Sequence, residues 1–305
     1  MKKIMIWGAG NYGTSAYDSI TEEKYGIVDI CDSNPMKIGK NIGDLTIQDI
    51  SGKKLCDYDM VLLAASKWED MYIHAKESGV PDEKIKIWNG NRIIDLEDAY
   101  SLDVHSQDGE ELFLREEFCD VNEGFYVDVG AYHPVKFSNT LWAYRRGWKG
   151  INIEPNCDNY KLFNLMRPND INVNVGISNV KSKMKYFQFE AAGLNTFDKE
   201  RADLLVKQND YKLIDIREVE VIPLQELLDQ YDVNHIDFLD IDVEGKELEV
   251  IKSIDFKRMD IKLLLIEQLA MNLEAVLNSE IASVLKGYGY HPVSKFDRTV
   301  VYKKR

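Results

Sequence analysis

Four carboxylates and one short glycine turn mark where chemistry is concentrated in this sequence. In "FLDIDVEG", Asp240 and Asp242 lie two residues apart, so on a strand both project from one face. Glu244 follows in the next loop, and Glu267 closes the apolar run "LLLIE". Carboxylates at adjoining strand ends repel one another unless they bind something: a hard divalent ion, an organic cation such as a sulfonium, or substrate hydroxyls. A plainer role competes for Glu244 and Glu247, which could occupy the first turn of the helix after Gly245 and favour its positive end.

The second concentration is "VDVGAYHPVKFSNT". Asp128 precedes a Gly130–Ala131 turn whose small residues let backbone approach a ligand closely. The turn lacks a full GxGxxG, which argues against a dinucleotide pyrophosphate. Adenosine without phosphates needs less, namely the close approach and a carboxylate at the next strand end to accept both ribose hydroxyls. Glu154, 24 residues after Gly130, stands where that carboxylate belongs. The bland alternative is a strand-to-helix turn followed by a solvated acid. His133 is the only histidine in these motifs. It could serve as a general base or could be a loop histidine bonded to backbone, and Asp242 is the competing base.

These groups need a scaffold, and the sequence supplies one twice. "KKIMIWGAGNYG" and "GFYVDVGAYHP" each run from an apolar strand into a glycine turn. "GIVDICDSNP" and "KGINIEPN" each form a second strand ending in an acid, 24 residues after the first glycine in both cases. A helix fits each gap, so each segment is a candidate βαβ unit. The expected organisation is a Rossmann-like domain over residues 1–97 with about four parallel strands, a linker over 98–124, and a second α/β domain over 125–305. In the first domain Gly8, Gly10, Gly13 and Asp32 have the spacing of a dinucleotide fingerprint. The linker carries one basic and nine acidic residues, and "GEELFLREEFCDV" predicts a helix with Leu112, Leu114 and Phe118 near one face. The second domain continues through "KMKYFQF", "EVEVIPL", "IKLLLIEQ" and a hairpin-like ending suited to an antiparallel edge.

Composition narrows the function classes. The 305 residues are 45% hydrophobic and 30% charged, with a net charge of −14. Such a chain buries a real core, and its acidity makes nucleic acid and anionic membranes poor partners. No apolar stretch approaches the roughly 20 residues that span a bilayer. Cys31, Cys56, Cys119 and Cys157 lie far apart, as free thiols would in a reducing, cytoplasmic setting.

The run "FYVDVGAYHPVKFSNTLWAYRRGWKGINIEPN", then "INVNVGISN", then "IDFLDIDVEGKELEVI" is similar to the FkbM-type family of S-adenosylmethionine-dependent methyltransferases, over about residues 105–305. The resemblance implies a seven-stranded class I methyltransferase sheet with its cofactor at the carboxyl ends of the strands. It implies that Asp128, Gly130 and Ala131 line the methionine part, with Ser138 closing that loop, and that Glu154 holds the ribose. It further places Gly176 to Ser178 beside the adenine and Asp240 near the reacting end. The family turn reads more like "DVGAN.G..S", so Tyr132, His133 and Pro134 are a departure, as is Asp240 where many members carry lysine or serine. The first domain resembles the small Rossmann-like domain that opens certain sugar acyltransferases, which implies a nucleotide-linked sugar.

The expected activity is methyl transfer from S-adenosylmethionine to an oxygen of a glycan, sugar or other hydroxylated small molecule, with His133, Asp242 and Glu244 as catalytic candidates. No metal ligand is assigned, because nothing beside Asp242 and Glu244 in sequence completes a shell, and metal dependence stays open. The rivals are an NAD-dependent oxidoreductase run by the first domain and a non-enzymatic nucleotide-sugar binder.

Overall fold

The computed structural model describes residues 2–20, 25–90, 92–99, 104–208, 211–269 and 271–304. The chain forms two compact units, Met1–Leu102 and Asp103–Arg305. Among the described residues no helix is long and apolar enough to cross a membrane.

The first unit holds β1 (Lys2–Trp7), β2 (Tyr25–Asp32), β3 (Asn41–Ile42), β4 (Leu45–Asp49), β5 (Met60–Leu63), β6 (Ile85–Trp88) and β7 (Ile93–Ile94). They form one sheet in the order β3-β4-β2-β1-β5-β6-β7. Five of these strands run parallel, one more than expected, and the two-residue β3 and β7 add antiparallel edges. Ile4, Met5 and Ile6 are fully buried, so both faces of β1 are covered and it reads as a continuous apolar run rather than an alternation. Gly8 turns the chain out of β1 with φ +107°, and a Cβ there would lie 2.5 Å from the Ala64 carbonyl oxygen.

The second unit holds β8 (Phe125–Val129), β9 (Lys149–Ile153), β10 (Ile171–Val173), β11 (Gly176–Ile177), β12 (Ser182–Phe189), β13 (Leu213–Ile222), β14 (His235–Ile241), β15 (Asp260–Glu267), β16 (Tyr290–Lys295) and β17 (Thr299–Lys304). Seven of them make a sheet in the order β10-β9-β8-β14-β15-β17-β16. Counted in chain order within that sheet, this is 3-2-1-4-5-7-6. The five strands from β10 to β15 are parallel, and β17 slots antiparallel between β15 and β16. From β8 the chain builds one way through β9 and later the other way through β14. That reversal opens a crevice at the carboxyl ends of the two central strands. Register sets the residues there: Asp128 of β8 lies level with Asn152 of β9 on one side and Asp240 of β14 on the other.

Two expectations are corrected. "KMKYFQF" and "EVEVIPL" are strands, but β12 and β13 pair with β11 in a separate three-stranded sheet, not the main one. Their outer halves are largely exposed, which a strand inside a doubly covered sheet would not tolerate. Residues 100–103 of the expected linker lie outside the described residues. From His105 onward that segment is a wall of the second unit, because the helix Glu110–Glu117 and Phe118 bury Leu114 and Phe118 against Tyr126, Trp142, Trp148 and Phe238. Leu112, expected on that face, is exposed, and Phe113 packs instead.

Candidate active site

A cavity of about 350 Å³ opens at the crevice and is lined from both central strands and the small sheet. Such a volume lies at the lower end of the range for small-molecule sites. Its lining includes Gly130, Ala131, Glu154, Gly176 and Ile177, joined by Tyr186, Asn195 and Phe197 from the small sheet and the segment joining its strands. It also includes the carboxyl groups of Asp128, Asp240, Asp242, Glu244 and Glu267, with Asn139 beside them.

The turn is built by backbone. The N–H groups of Gly130 and Ala131 both donate to the Ile153 carbonyl, at 3.0 and 3.1 Å. Gly130 has φ +85°, and a Cβ on it would lie 1.8 Å from the Asp242 carbonyl oxygen. Neither the left-handed backbone nor that gap admits alanine. Gly130→Ala is expected to destabilise the second unit by roughly 2 kcal/mol or more, lowering its melting temperature by at least about 4 °C. A calorimetric trace that overlays the unsubstituted protein's would show that the turn tolerates a side chain.

Glu154 is fully enclosed and accepts two backbone hydrogen bonds, from Tyr132 N–H at 2.7 Å and Asn156 N–H at 2.6 Å. Burial pushes its carboxyl up to about 8 against those donors. Each carboxylate oxygen keeps a further lone pair for a ligand hydroxyl. Asn195 is 8% exposed and accepts from Phe189 N–H through its oxygen. Its amide group also lies against the Tyr186 hydroxyl. The Tyr186 and Phe197 rings pack at 4.7 Å with their planes tilted by 40°, and the Phe197 ring leaves room only for hydrogen at Gly176.

The carboxyl groups of the cavity act on one another. Asp240 accepts from Asn139 Nδ2 at 2.9 Å, and burial followed by the neighbouring Asp128 pushes its carboxyl well up. Asp128 accepts from Thr140 Oγ1 at 2.8 Å, and burial raises it to about 6 while Arg167 opposes the shift. Asp242 lines the cavity and is exposed to solvent. The protein packed around it and then the Glu247 charge push it up to about 7. Glu267 lies behind, raised to about 9 by burial and by Asp242, with which it shares a hydrogen bond. Two carboxyl groups in that contact hold one proton between them. Asp242, Glu244 and Glu267 bring oxygens within 4.8 Å of one another, close enough to hold a cation. Glu244 is already ion-paired with Arg201, and its left-handed backbone (φ +56°) is fixed by Thr196 Oγ1 donating to its carbonyl at 2.8 Å.

Several expected residues lie elsewhere. His133 is buried outside the cavity lining. Its Nδ1 accepts from Val135 and Lys136 N–H, both at 3.0 Å, and burial with the Lys136 and Arg167 charges drives it down to about 3. It is a loop-forming residue and not the base. Ser138 is buried beneath the wall, accepting from Arg167 at 2.7 Å. Ser178 turns away after β11, where its N–H donates to the Ile222 carbonyl and its hydroxyl meets Glu249. Glu247 caps its own helix by accepting from Gly245 N–H at 2.9 Å, and Asp198 caps the helix Lys199–Lys207. In the first unit Asp32 accepts from Ala9 N–H at 2.7 Å, Asn34 N–H at 2.8 Å and Lys37 Nζ at 3.0 Å. Arg167 carried no signal in "LMRPND". It is fully buried and ties Pro134, Ser138, Thr140 and Asn152 together under the motif loop.

A seven-stranded sheet in the order 3-2-1-4-5-7-6, with a glycine turn after its first strand and an acid after its second, is the Rossmann-like sheet of the class I methyltransferase fold. The model of the Methyltransferase FkbM domain matches residues 128–292, more than half of the chain, and the chain belongs to that family. Residues 1–86 match the model described as C2185-like, N-terminal. No curated protein matches the chain in sequence. Among solved structures it is similar to a Pyrococcus horikoshii protein provisionally described as an RNA methyltransferase. That match is 10% identical, covers 65% of this chain and 82% of that one, and has a TM-score of 0.35. It is also similar to phosphoethanolamine N-methyltransferase 1 of Haemonchus contortus, 11% identical, covering 99% of this chain and 86% of that one, with a TM-score of 0.24. At such scores neither protein carries an argument about this one.

Proposed function

We propose that the second unit transfers a methyl group from S-adenosylmethionine to an oxygen of a sugar, glycan or other hydroxylated acceptor. The supporting observation is that one cavity brings together a glycine turn, an enclosed carboxyl at the next strand end, an amide, and the Asp242–Glu267 carboxyl pair. These groups suit the cofactor: Gly130 leaves space only for hydrogen, Glu154 offers lone pairs to ribose hydroxyls, and the Asn195 amide lies on the same wall. When bound, the cofactor supplies an electrophilic methyl on a cationic sulfur. The carboxyl pair does the rest. The proton shared by Asp242 and Glu267 leaves one negative charge to favour the sulfonium, and Asp242, once ionised above about pH 7, takes the proton of an acceptor hydroxyl that is a weak nucleophile when neutral.

The first unit we read as a site for a nucleotide-linked sugar. Lys37 Nζ contacts Asp32 and lies 3.6 Å from where a Gly10 Cβ would be, which places a cation beside the glycine turn where phosphates would lie.

Thermal unfolding of the whole chain with S-adenosylhomocysteine, NAD or UDP-glucose separates the readings. A ligand at a hundred times its dissociation constant adds about 2.7 kcal/mol to the unit that binds it. S-adenosylhomocysteine is expected to raise the second unit's transition and UDP-glucose the first's. A shift with NAD and none with S-adenosylhomocysteine would replace the methyltransferase reading with the oxidoreductase.

A further inference from the structure

We infer that Tyr132 and Phe137 form an acceptor platform, an aromatic surface that receives the C–H face of a hydroxylated ring such as a pyranose. This rests on the methyltransferase reading above and adds a binding subsite to it.

The two rings stack with centroids 6.2 Å apart and planes within 16°, and both line the cavity. Each sits on left-handed backbone, φ +52° at Tyr132 and +55° at Phe137, which is unfavourable for a bulky side chain and persists only when its surroundings impose it. Those surroundings are visible. Tyr132 N–H is held by Glu154. His133 Nδ1 closes the turn by accepting from Val135 and Lys136, and Arg167 Nε fixes the Pro134 carbonyl at 2.9 Å. The buried histidine that sequence reading offered as a base thus folds the loop back, so that residues 132 and 137 meet.

That construction leaves Phe137 57% exposed, although its neighbours in the loop, His133 to Val135 and Ser138, are buried. The Tyr132 ring also comes within 3.8 Å of a Gly193 Cβ position, an ordinary packing contact, so Phe137 is the more open of the two rings. Two residues beyond Phe137, Asn139 joins Asp240 among the carboxyl groups. A ligand on the platform therefore meets an apolar face on one side and hydrogen-bond acceptors at its edge. A pyranose offers that combination, with C–H groups on a face and hydroxyl donors around the rim. The carboxylates disfavour phosphorylated or otherwise anionic acceptors by like-charge repulsion. An acyclic polyol has the hydroxyls but no face.

Saturation-transfer NMR on the full chain, saturated with S-adenosylhomocysteine, tests this. The probes are methyl β-D-glucopyranoside and methyl β-D-galactopyranoside, with glycerol as the acyclic control and methylammonium as the cationic one. A pyranoside is expected to receive saturation on the C–H groups of one face. The signal should fall at least fivefold in Phe137→Ala and be kept in Phe137→Tyr, with S-adenosylhomocysteine affinity unchanged in both. Three results would overturn the platform: pyranoside signals equal in Phe137→Ala, signals no stronger than those of glycerol or methylammonium, or a loss of S-adenosylhomocysteine affinity in Phe137→Ala, which would make the ring part of the cofactor wall. Failure of the unsubstituted protein to bind S-adenosylhomocysteine overturns the methyltransferase reading instead, and the two failures are distinguishable by calorimetry.

Discussion

Glu154→Ala is expected to bind S-adenosylhomocysteine about a hundredfold more weakly, a loss of about 2.7 kcal/mol. Measured above about pH 8, where Glu154 is ionised, its two charge-assisted hydrogen bonds to ribose hydroxyls are worth about 1.5–3 kcal/mol each, and water filling the space returns part of that. The alanine also strands the Tyr132 and Asn156 N–H groups that the carboxylate holds. Glu154→Gln separates the two effects, since one carbonyl oxygen remains to accept from backbone while the charge is gone. Its melting temperature should lie closer to that of the unsubstituted protein, with affinity still reduced at least tenfold. Titration calorimetry on both variants decides. Wild-type affinity in a folded Glu154→Ala would move the ribose elsewhere in the cavity.

Asp242→Asn should lower methyl transfer by about 10²–10⁴-fold, the range for loss of a general base, while leaving S-adenosylhomocysteine affinity within about threefold. The pH dependence carries the sign. A base must be ionised to accept a proton, so with Asp242 pushed up to about 7 the rate of the unsubstituted protein should fall as pH drops through that value and level off above it. The residual rate of Asp242→Asn should be flat over the same window. His133→Ala gives the contrast, because a ring buried outside the cavity and driven down to about 3 cannot produce a transition near neutrality. A near-neutral limb that disappears in His133→Ala and survives in Asp242→Asn would return the proton to the histidine. The same assays with a chelator test the third role of the cluster. Glu244 is neutralised by Arg201, and a proton shared by Asp242 and Glu267 already offsets their repulsion, so turnover is expected to survive. Loss of turnover on chelation, restored by magnesium or manganese, would place a divalent ion among the three.

Local pattern was enough for much of this site. Side chains two apart on a strand share a face, so Asp240 and Asp242 could be placed together before any fold was known, and both line the cavity. The 24-residue step from a glycine turn to an acid located Gly130 and Glu154, and the same step located Gly8 and Asp32. In both units the glycine N–H donates to the carbonyl just before the acid, Gly8 to Cys31 and Gly130 to Ile153. The ordered motif blocks carried the family.

Tertiary structure decided what each group experiences. His133 and Asp242 were rival bases on residue type alone, and they part because one ring is packed away from water and one carboxyl opens on the cavity. Ser138 and Ser178 lie in the right segments but turn to Arg167 and Glu249, partners 29 and 71 residues distant. Glu244 meets Arg201, which stands 43 residues earlier in the chain. Tyr186, Asn195 and Phe197 line the cavity because a small separate sheet and the segment joining its strands contribute to its wall. The physical reason is common to all of these: strand periodicity sets the face from which a side chain projects. Its protonation, its partner and its access to a ligand depend on desolvation and charge supplied by elements that meet only when the chain has folded.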